Sequence, residues 1–237
     1  MRVVTIGISG PSCSGKTTIS RVLQQLVKHS IVLYQDDFFK PESQIPIDPT
    51  LNLANWDCPE AIDFSPFIDT IKYIQQHGQL PEGYKSNEVS NTHDGSSHIS
   101  LDQMQKWKQH KVNDKDKNDD IIWLIVDGFM LLSDQRVYSL LDYRLFVTAS
   151  YSTLKKRRED RQGYHTLEGY WVDPPNYFDD IVWPEFLKQH QHIQGPHHEH
   201  QHLPTDYDPS ITLINTDELS ISQSIDKVVD LLWPSKI

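Results

Sequence analysis

Short runs rich in Val, Ile and Leu recur along the chain, each bounded by turn residues or polar stretches. They are Val3 to Ile8 (VVTIGI), Ile31 to Tyr34 (IVLY), Ile121 to Val126 (IIWLIV), Tyr143 to Ala149 (YRLFVTA) and Ile211 to Asn215 (ITLIN). Predominantly apolar runs of this length predict strands buried on both faces. Between them the apolar spacing turns helical: Lys16 to Lys28 carries Ile19, Val22, Leu23, Leu26 and Val27, and Pro59 to His77 carries Ile62, Phe67, Ile68, Ile71 and Ile74. Tyr151 to Arg161 and Glu218 to Leu232 read as two further helices. Strand and helix in alternation predict an α/β fold, a central parallel sheet covered by helices on both sides.

Two segments break the rhythm. Residues 86–120 have little apolar content, and their tail (KVNDKDKNDD) mixes Lys and Asp so closely that no face can be buried. A flexible insertion is expected there, with a short helix around Leu101 to Trp107. The second segment, Lys188 to Leu203, carries six of the twelve histidines, at positions 190, 192, 197, 198, 200 and 202. Imidazole is a good zinc ligand, but Gly195 and Pro196 interrupt any regular face and no thiolate is near, so a solvated polar loop is expected. At 237 residues the chain has length for one substantial domain, 1–237, without disulfide or metal staples.

Charge and cysteine content narrow the class. A net charge of -11, from 33 acidic and 22 basic residues, repels nucleic-acid phosphates and anionic membranes, so neither is an expected partner. Two cysteines, Cys13 and Cys58, are too few for a disulfide framework and suit a reducing compartment. The opening MRVVTIGISG lacks the succession of a signal peptide, and no apolar run approaches the ~20 residues that span a bilayer. A soluble intracellular protein is expected, in the cytoplasm or also the nucleus, with a monomer as the default state.

The strongest chemical signal is GPSCSGKT, Gly10 to Thr17, which matches G-x-x-x-x-G-K-[ST] between a strand and an amphipathic helix. Gly10 and Gly15 permit the tight turns that point successive N–H groups into one concavity, with Ser12, Cys13 and Ser14 completing the cradle. Lys16 is placed to reach the β- and γ-phosphates of a nucleotide, the Thr17 hydroxyl to ligate Mg²⁺, and Thr18 to add a further hydroxyl. The predicted fold is therefore a three-layer P-loop NTPase fold. Asp127 ends the apolar run IIWLIVD and emerges at the carboxyl end of a central strand, which makes it a second metal candidate; an Asp-Gly turn with Gly128 is the alternative.

No N-K-x-D guanine reader occurs, and the chain has no room for the modules of a mechanical ATPase. A small-molecule kinase remains, which needs a carboxylate at the acceptor hydroxyl and cations around the moving phosphoryl group. Asp36 and Asp37 follow the second strand, and LKKRREDRQGY (Leu154 to Tyr164) sets Lys156, Arg157, Arg158 and Arg161 within two helical turns. That cluster is either a lid over phosphates, within a lid region at 155–176, or an exposed face paired with Glu159 and Asp160.

Together GISGPSCSGKTT, QDDFFKPES, WDCPEA (Trp56 to Ala61), the DGF at Asp127, the Arg-rich stretch and PPNYFDDIVWP (Pro174 to Pro184) resemble the nicotinamide riboside kinases, relatives of the uridine kinases. The resemblance spans most of the chain, and QDDFFKPES is its specific part. It implies ATP as donor, Mg²⁺ as cofactor, and phosphorylation of the 5′-hydroxyl of nicotinamide riboside, with nicotinic acid riboside as a second substrate, for NAD synthesis. Asp36 becomes the proton acceptor beside the metal, and Phe39 a substrate contact. Trp56 and Asp57 hold the pyridine and the ribose hydroxyls, Arg158 grips the substrate, and Arg157 and Arg161 grip ATP. A pyridinium over Trp56 gains a cation–π contact of ~0.5 to 2 kcal/mol.

The chain departs from the family pattern in two places that matter. The stretch QGYHTLEGYWVDPPN is longer than expected, leaving Tyr164, Tyr170 or Trp171 as the second aromatic against the pyridine, with Tyr164 ranked first. Asp127 stands where Glu also serves, one methylene shorter toward the metal. The rival readings are a uridine or cytidine kinase and, from another class, a regulatory module that binds ATP without turnover.

Overall fold

The computed structural model describes residues 2–90, 99–112, 120–161, 163–165, 169–194 and 208–234. In chain order its main elements are β1 (Arg2–Ser9), α1 (Lys16–Leu26), β2 (Ser30–Tyr34), α2 (Phe64–His77), α3 (Leu101–Val112), β3 (Ile121–Asp127), α4 (Gln135–Tyr138), β4 (Tyr143–Thr148), α5 (Tyr151–Glu159), β5 (Tyr164–His165), β6 (Tyr170–Trp171), α6 (Trp183–Gln194), β7 (Ile211–Asn215) and α7 (Ile221–Leu232). All five predicted strands join one parallel sheet in the order β2-β3-β1-β4-β7. Such a sheet needs cover on both faces, and the apolar stripes of the helices supply it. One core forms beneath α1, α3 and α7, and the other beneath α2, α4 and α6. The result is the three-layer arrangement that alternation predicts.

Register decides what stands at the carboxyl edge. Asp127 pairs with Ile8 on β1 and with Tyr34 on β2, so the loops leaving all three strands start level with one another. The chain returns to the far side of β1 for β4, which opens a crevice at that edge, the usual ligand position in open α/β sheets.

Helix ends differ from the periodicity where local pairing wins. Ile62 bridges to Phe39 in extended form, so Pro59–Ala61 is a separate 3-10 turn and α2 starts only at Phe64. A reciprocal capping box between Ser220 and Gln223 starts α7 at Ile221, three residues late.

Two expectations need correction. The insertion at 86–120 contains a twelve-residue helix, α3, rather than a short one, and that helix is packed. Trp107 is 2% exposed, and its indole N–H donates to Asp226 Oδ1 at 2.7 Å, which anchors α3 to α7. Residues 91–98 and 113–119 of the insertion lie outside the described residues. The histidine-rich segment is likewise not all loop: α6, kinked at His190, extends into it to Gln194, and His190 is a buried core residue between Phe146 and Phe186. Its remainder, 195–203, lies outside the described residues.

His190 gives a pH-dependent contribution to stability. Its Nδ1 lies 2.9 Å from the Phe186 carbonyl oxygen, and burial lowers its pKa from 6.5 to about 4. The unfolded chain takes up a proton below pH 6.5 that the folded chain refuses until about pH 4. Stability is therefore full above that range and falls by roughly 3 kcal/mol across it. His190→Phe is expected to flatten the melting temperature against pH between 6.5 and 4. An unchanged slope in thermal melts would remove His190 as its source.

Candidate active site

The loop from Ser9 to Lys16 has the backbone that its glycines predict. Gly10 has φ 140° and Gly15 has φ 104°, and Cys13 also takes a positive φ of 64°. A Cβ on Gly10 would stand 1.9 Å from the Val147 carbonyl oxygen on β4, so no other residue fits there. The loop lies over the end of β4 and is braced from β7. Thr216 Oγ1 is 3.2 Å from the Ser14 carbonyl oxygen, and Arg157 Nη1 donates to the Cys13 carbonyl at 3.3 Å and to Thr216 Oγ1 at 3.0 Å. The Ser14 hydroxyl is buried inside the loop and, among the described residues, has no hydrogen-bond partner.

Beneath the loop the charged groups converge. Lys16 Nζ donates to the Pro11 carbonyl at 2.8 Å. Its burial lowers its pKa, against the attraction of Asp127 and Asp36. Asp127 is 4% exposed and accepts the Ser20 hydroxyl at 3.0 Å, so it points back toward α1 rather than capping a turn at Gly128. Burial raises its pKa, and Lys16, Thr17 and Ser20 pull it down. Asp36 sits in the 3-10 turn Gln35–Phe38 immediately after β2. Withdrawal from bulk water, then the charges of Glu88 and Asp127, raise it to about 7 against the pull of Lys16. Its side chain still opens to the solvent of the cleft, and that screening tempers the shift.

The neighbouring Asp37 does different work. It accepts the Tyr84 hydroxyl and the Asn87 backbone N–H, the latter at 2.8 Å, and so pins the loop that carries Glu88. Glu88 in turn pairs with Arg21 on α1 at 2.8 Å.

The other end of the cleft is aromatic. Phe39 stacks on Phe129 at 5.8 Å between centroids and meets Trp56 edge-on at 5.6 Å, and Trp56 faces Trp171 of β6 at 5.7 Å. The Tyr177 hydroxyl donates to the Ala54 carbonyl and accepts the Trp56 N–H, fixing the backbone beneath Trp56. Arg158, 7% exposed, lies 3.7 Å from Asp57 and forms a two-bond pair with Asp173. Burial raises the Asp57 carboxyl, and Arg158 opposes that shift.

One cleft of about 510 Å³ runs between these two ends. Its walls include Ser12, Cys13, Gly15, Lys16, Thr17, Thr18, Asp36, Phe39, Trp56, Asp57, Asp127, Arg157, Arg158 and Arg161 from the sequence-predicted set. Gly10 and Ser14 lie behind the loop surface, and the Tyr164 side chain lies outside the described residues. The basic helix divides between its two readings: Lys156 pairs outward with Asp160 at 2.7 Å, while Arg157, Arg158 and Arg161 turn inward. Tyr34, Glu88 and Phe129 also line the cleft and were not foreseen. Register could have found Tyr34, the strand-end neighbour of Asp127, whereas Glu88 arrives through a tether that no local pattern announces.

Comparison with known proteins follows the same lines. The chain is 34% identical over 192 residues to a nicotinamide riboside kinase of Schizosaccharomyces pombe, covering 81% of each chain. It is 36% identical over 193 residues to the nicotinamide riboside kinase of Saccharomyces cerevisiae (81% of this chain, 79% of that one) and 30% identical over 194 residues to the human nicotinamide riboside kinase 1 (82% and 80%). No family model matches. Among solved structures, a sugar kinase from Janibacter sp. HTCC2649 overlays with a TM-score of 0.48 at 12% identity, covering 98% of this chain and 94% of that one, too distant to bear on function.

Proposed function

The chain belongs to the nicotinamide riboside kinase family, and we propose that it transfers the γ-phosphoryl group of ATP to the ribose 5′-hydroxyl of nicotinamide riboside, giving the mononucleotide for NAD synthesis. The observation that carries the reading is one continuous cleft with Lys16, Asp36 and Asp127 at one end and Trp56, Asp57 and Arg158 at the other. A riboside with its hydroxyl toward Asp36 and its ring toward Trp56 fits that division of chemistry. The P-loop amides and Lys16 bind the phosphates, with Arg157 and Arg161 closing over them. Asp36 accepts the hydroxyl proton, and a carboxyl raised toward neutrality suits a base working near pH 7. Asp57 and Arg158 take the ribose hydroxyls, and Trp56 presents its face to the pyridinium.

The donor set fits Mg²⁺. Thr17, Asp36 and Asp127 are hard oxygen donors, and among the described residues no group of three or more His, Cys, Asp or Glu could hold an ion unaided. A Mg²⁺ site is commonly built from one or two carboxylates and completed by substrate phosphates and water. Thr17 and the two carboxylates would hold the ion, which when bound offsets charge on the β- and γ-phosphate oxygens. Among the described residues no helix is long and apolar enough to cross a membrane, and small-molecule partners suffice for this chemistry. The reading includes action in the cytoplasm, where ATP and a reducing environment coexist.

Nicotinic acid riboside shares the ribose and the aromatic ring and is included as a second substrate. ADP release measured with nicotinamide riboside, nicotinic acid riboside, uridine and cytidine tests the proposal. The expected order puts both pyridine ribosides at least tenfold above the pyrimidines in kcat/KM, as an aromatic face that discriminates by charge predicts. A higher value on uridine would reject it, and ATP binding without turnover on any nucleoside would favour a regulatory module.

A further inference from the structure

Arg158 leaves the last turn of α5 and lies between two carboxylates. On the cleft side its Nη1 stands 3.7 Å from Asp57 Oδ1. On the far side Nε and Nη2 donate to the two oxygens of Asp173 at 2.6 and 3.1 Å, the fork-on-fork geometry that gives arginine–carboxylate pairs their directionality. Asp173 Oδ1 also accepts the Trp171 indole N–H at 2.9 Å, and the Trp171 ring stands 5.7 Å from Trp56. A carboxylate two residues beyond β6 therefore holds both a cation of α5 and an aromatic of the β5–β6 hairpin. Asp173 stands behind Arg158 rather than in the cleft wall.

We propose that Asp173 is a positioning residue for nucleoside recognition: it holds the Arg158 guanidinium back from Asp57 and ties Trp171 into the same network. The distances carry the argument. Arg158 is engaged closely by Asp173 and loosely by Asp57, which leaves the Asp57 oxygens able to accept hydroxyl hydrogen bonds. With the Asp173 charge removed, the buried guanidinium is drawn onto Asp57, its other carboxylate neighbour among the described residues, because losing a close counter-charge in a buried site is costly. Asp57 is then occupied by arginine instead of ribose, and the acceptor of the Trp171 indole N–H weakens from a carboxylate to an amide oxygen at the same time.

The inference rests on the reading of Asp57 and Arg158 as the ribose clamp, but not on which base is attached. Each variant is therefore assayed on whichever nucleoside the wild-type enzyme uses best, so a uridine preference would reject the pyridine reading and leave this one standing. Asp173→Asn is expected to raise the nucleoside KM tenfold or more, to leave the ATP KM within twofold, and to change kcat less than KM. Its preference for the riboside over the 2′-deoxy analogue should shrink in parallel, a readout that general loosening of the fold does not move. Asp173→Glu, which keeps charge and fork on a longer arm, is expected to fall between, with a nucleoside KM about threefold above wild type. A folded Asp173→Asn enzyme with an unchanged nucleoside KM, or with the ATP KM rising equally, would overturn the proposal. Where Asp173→Asn does not fold, a wild-type nucleoside KM in Asp173→Glu does the same.

Discussion

Asp36→Asn is expected to lower kcat by about 10² or more while the affinity for ATP, measured by equilibrium titration, changes only a few-fold. The same substitution is expected to make the unliganded protein slightly more stable at pH 8. The two signs have one cause. Asp36 shares its end of the cleft with Glu88, Asp127 and Asp37, against Lys16, and its carboxyl is raised from 3.8 to about 7. A group whose folded pKa is raised in this way favours folding when protonated and opposes it when charged. The opposition is complete above about pH 7, fades as pH falls, and is gone below 3.8, where folded and unfolded chains are both protonated. Asn mimics the protonated form, so the gain in melting temperature should be present at pH 8 and absent near pH 4. Solvent in the cleft screens the charge, so the gain is small. Near-normal turnover would remove Asp36 as the base. Asp37 is a poor substitute, because both its oxygens already hold the loop that carries Glu88.

The two adjacent aspartates show what a sequence can reveal and what it cannot. The apolar run before them places both at the carboxyl edge of the sheet, and the resemblance separates their roles, but the partner of Asp37 lies 47 positions away. The P-loop and Asp127 were legible because each is bonded to a strand whose register periodicity sets. Glu88, Phe129 and Asp173 carry no such signal. Glu88 and Asp173 lie on loops held by long-range bonds, from the Asn87 N–H to Asp37 in one case and from Arg158 to Asp173 in the other, and Phe129 is placed by stacking on the distant Phe39. Trp107 and His190 failed in the opposite direction. Their surroundings are polar along the chain, and only the packed faces of α7 and α6 make them core residues. Polarity averaged over a window hides a single large side chain that decides whether a segment docks.

Lys16→Met is expected to reduce kcat/KM by about 10² to 10³, the usual loss when one preorganised donor to a developing charge is removed. Its effect on stability is more informative, because Lys16 and Asp127 are both nearly buried, and each pulls the other back toward its charged form against the cost of burial. Burial alone pushes the lysine toward neutrality and the aspartate toward protonation. Removing the lysine relieves one desolvation cost but leaves Asp127, among the described residues, to neutral donors such as Thr17 and Ser20. Lys16→Met combined with Asp127→Asn should therefore be more stable than Lys16→Met alone, with a coupling of roughly 1–3 kcal/mol in a double-mutant cycle. For a chain of this length that corresponds to a rise of a few degrees or more in melting temperature. Activity should not return, since neither the phosphate cation nor the carboxylate is restored. A coupling near zero would mean that Lys16 does not neutralise Asp127 in the unliganded protein. The buried carboxylate would then have to be held by Thr17 and Ser20 alone, and the lysine would face the phosphates without a counter-charge beneath it.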